Sequence, residues 1–512
     1  MPKALKRFLL PAVILALGLA GLYVTTLVYA MGEALLALVM LATLACFVWI
    51  YTTQKAYAYR YLFPGIGAAL IFVVFPMLYT IRIGFTNYSS KNLLNFKRAT
   101  QYLLEETYRA DGSTFNSEVI PDGGRWRIRL EDADTGAAYL TGPVPLERTE
   151  PAEQASVTLP ALPTKEPVPE GVMTLREIIE HQDALKNLVV VLPSGVHVRM
   201  TGLHEFAPQR LQYTRNPDGS LTNNQDQSIL RPDFKTGFYE TADGEQVQPG
   251  FQVDIGWRNY TQIFTDASLR EPFGHIFVWT VVFSALSVLF CTSLGMVLAV
   301  LLNWDSLRFK GVYRLLLFLP YAIPSFISIL VFKGLFNQNT GEINLVLHGL
   351  FGLSPTWFSD PFLARSMLLI VNTWLGFPYM MVVCMGLIKA IPNDLYEASA
   401  VAGAGPITNF FKITVPLIIR PLTPLLIASF AFNFNNLVLV NLLTGGLPDY
   451  LNTSVPAGTT DLLATYTYRI AFQDSGQKFG LAAAISTVVF LMVAAIALIQ
   501  IRATKISQQD KG

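Results

Sequence analysis

Neutral polar and aromatic side chains stand inside three of the long apolar segments of this 512-residue sequence. Sugars present apolar C–H faces bordered by hydroxyl groups, so a site for them needs aromatic platforms and uncharged hydrogen-bonding groups. Tyr321 and Ser325, and likewise Ser429 and Asn433, are four residues apart and therefore share a helix face. The candidates for a carbohydrate site are Tyr321, Ser325, Asn372, Leu375, Gly376, Tyr379, Ser429, Phe432 and Asn433.

The same residue types also have a purely structural use. Ser and Asn in membrane helices often hydrogen-bond neighbouring helices, and Gly allows close helix packing. From chemistry alone, both interpretations stay open for each candidate. Two nearby residues, Asn435 and Asn436, are interpreted as packing or loop-end residues.

The segment 391–416 predicts a short helix built from small residues. Pro392 and the polar residues after it are typical of a helix start, and Gly403 is typical of a helix end. A helix rich in Ala, Ser and Gly has a smooth surface, so another protein can approach its backbone closely. A second helix is predicted to begin near Thr408 and to turn into the membrane after Pro416.

The chain carries none of the common catalytic or nucleotide-binding motifs. It has no G-x-x-x-x-G-K-[ST], H-E-x-x-H or G-x-S-x-G sequence, and its five histidines lack metal-ligand spacing. We therefore expect no catalytic residue, no metal and no cofactor on this chain. No Asp, Glu, Lys or Arg lies within the apolar cores. Their absence there counts against a proton symporter and against a pore lined by charged rings.

Composition places the chain in a membrane. Apolar residues make up 52% and charged residues 14%, and the mean hydropathy is +0.41, whereas soluble domains carry about 25% charge. The net charge of +1 gives no general attraction to nucleic acid. Only three cysteines occur, which excludes a disulfide scaffold, and all three lie within apolar runs.

Apolar runs without a charged residue predict eight transmembrane helices, because about 20 apolar residues cross the hydrocarbon layer. The first run exceeds a signal-peptide core and no clear cleavage site follows it, so we interpret it as an uncleaved anchor. The helices are predicted at about 8–30, 34–52, 61–82, 276–303, 315–335, 366–388, 418–441 and 479–501.

Basic residues predict the orientation of these helices. With the N-terminus in the cytoplasm, the cytoplasmic segments carry fourteen Lys and Arg residues, and the short outer segments carry five. Because short cytoplasmic loops are enriched in Lys and Arg, this distribution favours both termini in the cytoplasm.

Residues 89–275 contain no spanning run and hold more than half of all charged residues. Short alternating runs between Gly- and Pro-rich turns predict strands there. The fold class is therefore an α-helical polytopic membrane protein with a large, mostly β, extracytoplasmic domain between helices three and four. The predicted domains are 1–88, 89–275 and 276–512, with the loop 391–416 in the last.

The segment 391–416 resembles the EAA loop of ABC importer permeases. That pattern is E-A-A, three residues, Gly, nine residues and then I-x-L-P. The sequence matches it with Glu397-Ala398-Ser399, Gly403 and Ile413-Thr414-Val415-Pro416, where Ser replaces the third-position Ala and Val replaces Leu.

Further phrases extend the resemblance to the permease subunits of maltose/maltodextrin importers, which are type I ABC importer permeases. They are LPYAIPSFISILVFKGLFNQ (319–338), NTWLGFPYMM (372–381), SFAFNFNNLVL (429–439) and TDLLATYTYRIAF (460–472). The eight helices and the position of the insert agree with that family. The likeness covers nearly the whole chain and is weakest in the insert and at both ends.

The resemblance implies a non-catalytic subunit that moves maltose and maltodextrins from the periplasm to the cytoplasm by alternating access. The implied partners are a MalG-like second permease, two MalK-like ATPase subunits that bind MgATP, a periplasmic MalE-like maltose-binding protein, the sugar and the membrane lipid. The nine candidates above would contact the sugar. The ATPase contacts would be Glu397, Ala398, Ser399, Gly403, Ile413 and Pro416. The implied location is the bacterial inner membrane, with the insert in the periplasm.

Two other functions stay open. A permease of the same importer class for another sugar or polyol derivative, such as glycerol phosphate, would share the loop, although an anionic substrate calls for a nearby cation. A membrane-anchored receptor or assembly protein would need neither polar helix linings nor an ATPase partner.

Overall fold

The computed structural model describes residues 3–109, 112–146, 157–164, 171–304, 306–451, 453, 455–473 and 477–509. Lys511, one of the cations in the orientation argument, lies outside these residues. The chain divides into two compact units. The first, the helical unit, comprises Met1–Ser90 and Val253–Gly512, and the second, the insert, comprises Lys91–Gln252.

The described residues form nineteen α-helices, in the apolar runs, in the loops between them and in the insert. They are α1 (Lys3–Ala30), α2 (Ala34–Thr52), α3 (Tyr59–Ala69), α4 (Phe75–Gly84), α5 (Phe96–Glu105), α6 (Leu175–Glu180), α7 (Gln182–Lys186), α8 (Arg258–Thr265), α9 (Ala267–Asn303), α10 (Lys310–Ala322), α11 (Ser325–Leu335), α12 (Glu342–Phe351), α13 (Pro361–Lys389), α14 (Asn393–Val401), α15 (Pro406–Asn409), α16 (Val415–Phe434), α17 (Leu437–Leu443), α18 (Leu463–Phe472) and α19 (Phe479–Gln509).

Within the described residues, seven helical segments are long and apolar enough to cross a membrane, or eight if the bent pair α10–α11 counts as one span. This agrees with the predicted polytopic helical fold. The seven segments are Pro11–Ala30, Ala34–Thr52, Tyr59–Gly84, Ala267–Asn303, Pro361–Lys389, Pro406–Phe434 and Phe479–Leu498.

The fifth predicted span, 315–335, is not one straight helix. The chain bends by 91° between α10 and α11. Ile323 has an extended conformation and Pro324 precedes the first residue of α11. Proline has no N–H to donate and forces the residue before it out of the helical region, so Pro324 separates the two halves.

Two other predicted spans have different limits. The fourth begins at Ala267 instead of 276, because the Asp266 carboxylate caps the Ser268 N–H and starts α9 before its apolar stretch. The seventh was predicted at 418–441, but its helix ends at Phe434. The Asn436 side chain then accepts from the Leu439 N–H and begins α17 as a separate helix.

Two π-helical turns, Leu70–Val74 and Phe410–Thr414, join shorter helices into continuous spans. Each ends two residues before a proline, Pro76 or Pro416. A proline ring clashes with the carbonyl four residues earlier, and a widened turn relieves that clash. The chain therefore stays helical from Pro406 to Phe434, so the second loop helix and the seventh span form one continuous helical segment.

The insert is mostly β, as predicted. Its strands are β1 (Thr107–Arg109), β2 (Phe115–Asp122), β3 (Arg125–Asp132), β4 (Ala138–Thr141), β5 (Val157–Pro163), β6 (Leu188–Val191), β7 (His197–Gly202), β8 (Glu205–Leu211), β9 (Tyr213–Arg215), β10 (Leu221–Asn223), β11 (Ile229–Asp233), β12 (Phe238–Glu240) and β13 (Gln246–Val247). One sheet has the order β1-β8-β2-β3-β4-β5-β6-β7, and β8 also pairs with β7; a second has the order β13-β12-β11-β10-β9. All pairs are antiparallel except β5 with β6.

The insert ends earlier than the predicted limit at residue 275. Residues 253–275 belong to the helical unit. In α8, the Asn259 amide donates to the Gly84 carbonyl at 3.0 Å, and the Tyr260 hydroxyl donates to the Ile81 carbonyl at 3.1 Å. These long-range bonds attach α8 to the end of α4. The predicted boundary was set by the distribution of charged residues along the chain, and that distribution gives no information on such bonds.

Candidate functional site

An aromatic pair forms at the bend between α10 and α11. The rings of Tyr321 on α10 and Tyr379 on α13 are stacked, with centroids 6.3 Å apart and planes 17° apart. The two residues are 54% and 40% exposed. The pair therefore offers an accessible aromatic surface of the kind that packs against the C–H face of a sugar.

A cluster of side-chain amides forms around Asn372 of the same helix, α13. The Asn372 Nδ2 donates to the Asn433 Oδ1 at 2.8 Å, and the Asn436 Nδ2 donates to the Asn372 Oδ1 at 3.2 Å. Asn372 and Asn433 are only 6% and 8% exposed. This amide cluster joins α13 to α16 and to the start of α17 through uncharged groups.

Both features lie along one stripe of α13. Asn372 and Tyr379 are seven residues apart, which is two helical turns and about 10 Å along the axis. A sugar ring packed against Tyr379, with sugar hydroxyl groups bonded to Asn372, would span this distance, which is about the length of a short oligosaccharide. That substrate contact remains a prediction.

Gly376 lies on this stripe, and the structure gives it a packing role. A Cβ at this position would lie 2.7 Å from the Cys291 Sγ of α9. The Cys291 thiol also lies 3.7 Å from the Asn372 carbonyl oxygen. The small residue therefore lets α9 and α13 pack closely, which is the structural use of glycine that the sequence left open beside sugar binding.

The other four candidates have no side-chain hydrogen bond to the amide cluster and no ring contact with the tyrosine pair within the described residues. Ser325 is exposed at the first turn of α11, and Phe432 is 73% exposed on α16. Among the described residues, neither side chain has a hydrogen bond or a ring contact. Leu375 is half-buried against the apolar cluster around Trp279, and the half-buried Ser429 accepts from the Asn433 Nδ2 through its carbonyl.

Asn436 is the member of the amide cluster that the sequence interpretation left out. It was treated as a packing or loop-end residue, but it caps α17 and bonds to Asn372. A sequence signal was available, because an Asn directly before an apolar run is typical of a helix N-cap. Its bond to α13 depends on tertiary structure and has no such signal.

The loop helix α14 has the predicted ends. Pro392 precedes its first residue, and Gly403 follows its C-cap with φ +78°. The Gly403 N–H donates to the Ala400 carbonyl, and the Ala404 N–H donates to the Ser399 carbonyl at 2.9 Å. This is a Schellman ending, which needs a left-handed residue after the C-cap and so favours glycine.

Most of α14 is exposed. Glu397 and Ala398 are exposed and Ser399 is half-buried, while Val401, an apolar residue, is 92% exposed. Apolar side chains continue beyond it, with Ile407 76% exposed. The two exposed apolar side chains lie on either side of the turn at Gly403, between α14 and α15.

One side chain attaches α14 to the next span. The Tyr396 hydroxyl is 2.9 Å from the buried Thr414 hydroxyl in the π turn before α16. Of the predicted coupling residues there, Ile413 is half-buried and Pro416 is exposed in the first turn of α16. Below them a core cluster joins α9, α13 and α16 through residues such as Met296, Met385 and Ile418.

Two parts of the chain match known protein families. Residues 259–508 match the family described as the inner membrane component of binding-protein-dependent transport systems. Residues 94–256 match the P2 domain of the maltose transport system permease protein MalF. The two matches meet between residues 256 and 259, close to the boundary between the insert and the helical unit.

Relatives match almost the full length of the chain. It is 52% identical over 500 residues to the maltose/maltodextrin transport system permease protein MalF of Escherichia coli strain K12, covering 96% of each chain. It is 50% identical to the MalF of Yersinia pestis, covering 97% of this chain and 94% of that one. A solved bacterial ABC transporter that imports alginate is 21% identical with a TM-score of 0.43, covering 49% of this chain and 84% of that one.

The spans, the inserted β domain and the exposed loop helix are those of a permease subunit of an ABC importer. Such a subunit is a non-catalytic component of the transporter. Within that class, the chain belongs to the MalF family of maltose/maltodextrin transport system permease proteins.

Proposed function

We propose that this subunit carries maltose and maltodextrins across the inner membrane by alternating access. In this proposal it forms the pathway with a second, MalG-like permease. Two MalK-like ATPase subunits bind MgATP and supply the energy, and α14 is the element that they move. The observation that carries the proposal is the exposed helix α14, with its Schellman ending and apolar tip.

The sequence of the chain supports a separate ATPase partner. The sequence has no P-loop, so a pump built on it must take its energy from another subunit. The exposed Val401 and Ile407 are suitable for such a contact, because their burial against a partner would remove apolar surface from water. Glu397, Ala398, Ser399 and Gly403 make up the rest of the proposed contact surface.

The chemistry of the helices supports a neutral sugar. The stacked Tyr321 and Tyr379 and the amide cluster provide an aromatic surface and uncharged hydrogen-bonding groups. None of these groups carries a charge, whereas a substrate with a phosphate group would require a cation nearby. We therefore favour maltose over glycerol phosphate or another anionic derivative.

The route from α14 to the pathway runs through α16. Tyr396 bonds to Thr414, and α16 continues from that turn to Asn433 in the amide cluster. A rotation of α14 would therefore move the helix that bears Ser429, Phe432 and Asn433. This is a rigid-body shift between two conformations of the pathway.

The orientation completes the proposal. The excess of basic residues favours an orientation with both termini and α14 in the cytoplasm and the insert in the periplasm. A periplasmic, MalE-like maltose-binding protein would deliver the sugar there, and the insert would help to hold it.

We expect Tyr396→Phe to weaken coupling without stopping ATP hydrolysis. The change removes one hydrogen bond, which is worth about 1 kcal/mol, and it loosens α14 from α16. The maltose transported per ATP hydrolysed in proteoliposomes should fall about 5-fold. Tyr313→Phe is the matched control, because Tyr313 is 46% exposed and its hydroxyl makes no hydrogen bond within the described residues. A ratio unchanged from wild type would contradict a role for this bond.

Photo-crosslinking tests the assignment of α14. A benzoylphenylalanine placed at Val401 in the assembled complex should link to a P-loop ATPase. The control position is Phe362. It is exposed at the N-terminal end of α13, whereas α14 follows the C-terminal end of that helix, so it should not give that product. If Val401 links only to proteins that bind no nucleotide, α14 is not the coupling helix.

A further inference from the structure

A buried arginine lies at the end of the helical unit that also holds the start of α13. On α18, the Arg469 Nη1 is 2.7 Å from the Asp461 Oδ2, and its Nη2 is 2.7 Å from the Asp449 Oδ1. The Asp461 residue is fully buried, and the Arg469 side chain is 8% exposed. Two further polar atoms of this pair, the Asp461 Oδ1 and the Arg469 Nε, are buried without a hydrogen-bond partner among the described residues. Removing one charge of such a pair leaves the other charge buried and uncompensated. We call these three residues the Arg469 cluster.

The backbone between α17 and α18 is shaped around this cluster. The Asp461 Oδ2 also accepts from the Gly458 N–H at 2.7 Å. A Cβ at Gly446, whose φ is +88°, would lie 2.6 Å from the Arg469 Nη1. Glycine therefore lets the chain pass directly beside the guanidinium group, in a conformation that other residues rarely adopt.

Hydrogen bonds between hydroxyl groups attach the end of α17 to the loop that carries Asp461. The Thr444 hydroxyl, one residue beyond α17, is 2.9 Å from the Thr460 hydroxyl. The Thr460 hydroxyl donates to the Leu447 carbonyl at 2.7 Å. The residue after Thr460 is Asp461, so a displacement of the ion pair would be transmitted to the end of α17.

The neighbouring spans are bonded to this region as well. The Arg365 Nε of α13 donates to the Thr459 carbonyl at 2.8 Å, and its guanidinium lies 4.8 Å from the ring centroid of Trp279 on α9. The Leu463 N–H, at the start of α18, donates to the Thr280 hydroxyl of α9 at 3.1 Å. The C-terminal end of α17 is thereby fixed relative to both α9 and α13.

The other end of α17 reaches the predicted sugar site. Asn436 caps α17 and donates to Asn372 on α13. The helix has only seven residues, Leu437–Leu443, so it is about 10 Å long. A rod this short cannot change its tilt at one end without moving the amide at the other.

We propose that Arg469 is a positioning residue for substrate binding, which holds α17 so that the Asn436 amide stays on Asn372. This inference rests on the proposed function, because it assumes that the amide cluster contacts the sugar. Arg469 itself touches no substrate. It acts through its bonds to Asp461 and Asp449 and through the α17 backbone.

A double-mutant cycle on the assembled complex tests this inference. The complex is placed in lipid nanodiscs and trapped with ADP and orthovanadate, and its Kd for radiolabelled maltose is measured. We expect Asn436→Ala and Arg469→Gln each to raise the Kd on the order of 10-fold. Because both changes act on the same contact, the double variant should be no weaker than the weaker single variant.

Two further variants separate positioning from general loss of structure. Arg469→Lys keeps the charge and should recover part of the affinity. Asp449→Asn removes only the half-exposed partner, so the protein should fold normally and bind maltose about 3-fold more weakly. Arg469→Gln combined with Asp461→Asn removes both charges and should bind better than Arg469→Gln alone.

The possible outcomes are distinct. If the wild-type complex binds no maltose, the proposed function is wrong. If wild type binds but Arg469→Gln and Asp449→Asn leave the Kd unchanged, only the inference about Arg469 is wrong. Additive effects of Arg469→Gln and Asn436→Ala would also overturn it, because they would show that Arg469 does not act through the Asn436 amide.

Discussion

Replacing Gly403 by valine should abolish most ATP-driven uptake of maltose while the complex still assembles. Gly403 has φ +78° in the Schellman ending of α14. A left-handed backbone costs a residue with a Cβ about 1–2 kcal/mol, and a β-branched residue more. The end of α14 would therefore unwind at the proposed ATPase contact. We expect uptake into proteoliposomes to fall at least about 30-fold.

Gly405→Ala is the matched control for this change. Gly405 lies two residues away, is also exposed, and has φ −84°, which any residue can adopt. Its variant should keep most of the uptake. A Gly403→Val complex that transports as well as the Gly405→Ala complex would show that the shape of α14 does not matter for coupling. Glu397→Gln should lower uptake less than Gly403→Val, because it preserves the helix.

Removing the ring of Tyr379 should have the second largest effect. Tyr379→Ala deletes one half of the stacked pair with Tyr321 and, in our proposal, a platform for the sugar. The loss of an aromatic contact of this size is worth about 2 kcal/mol, or about 30-fold in affinity. Equilibrium binding of maltose to the trapped complex, with uptake at low maltose concentration, measures this effect.

Two variants show which property of Tyr379 matters. Tyr379→Phe keeps the ring and should retain most of the binding. Tyr313→Ala removes a similarly exposed tyrosine two turns before Tyr321 on α10 and should leave the affinity unchanged. The site assignment would be untenable if Tyr379→Ala bound maltose as tightly as Tyr313→Ala does.

The sequence predicts best the features that depend on local chemistry. The ends of α14 follow from Pro392 and Gly403, since helix caps use residues adjacent in the chain. The spans follow from apolar runs, because the bilayer demands a minimum length of uncharged helix. The mostly β insert follows from alternating patterns between turns.

The limits and the straightness of the spans are predicted less well, because the apolar runs alone were used to set them. Composition alone makes 315–335 a span, yet Pro324 and the preceding Ile323 divide it by a 91° bend. The early start of α9 at Ala267 was missed because its first turns lie outside any apolar run.

Contacts between distant residues were the hardest to predict. Asn436 bonds to Asn372, 64 positions away, and Arg469 bonds to Asp449, 20 positions away. Neither pair has a periodic signal, because the partners meet only after the helices pack. Close packing at Gly376 was one of the two interpretations left open, but its partner Cys291 could not be predicted for the same reason.

The most direct test is uptake of radiolabelled maltose into proteoliposomes. It shows whether transport through this subunit depends on ATP hydrolysis by a separate ATPase subunit. The subunit is reconstituted with its second permease and the binding protein, with or without the ATPase subunits and ATP. We predict accumulation only when the ATPase and ATP are both present. Accumulation of maltose against its gradient by vesicles that contain no nucleotide hydrolase would contradict this account.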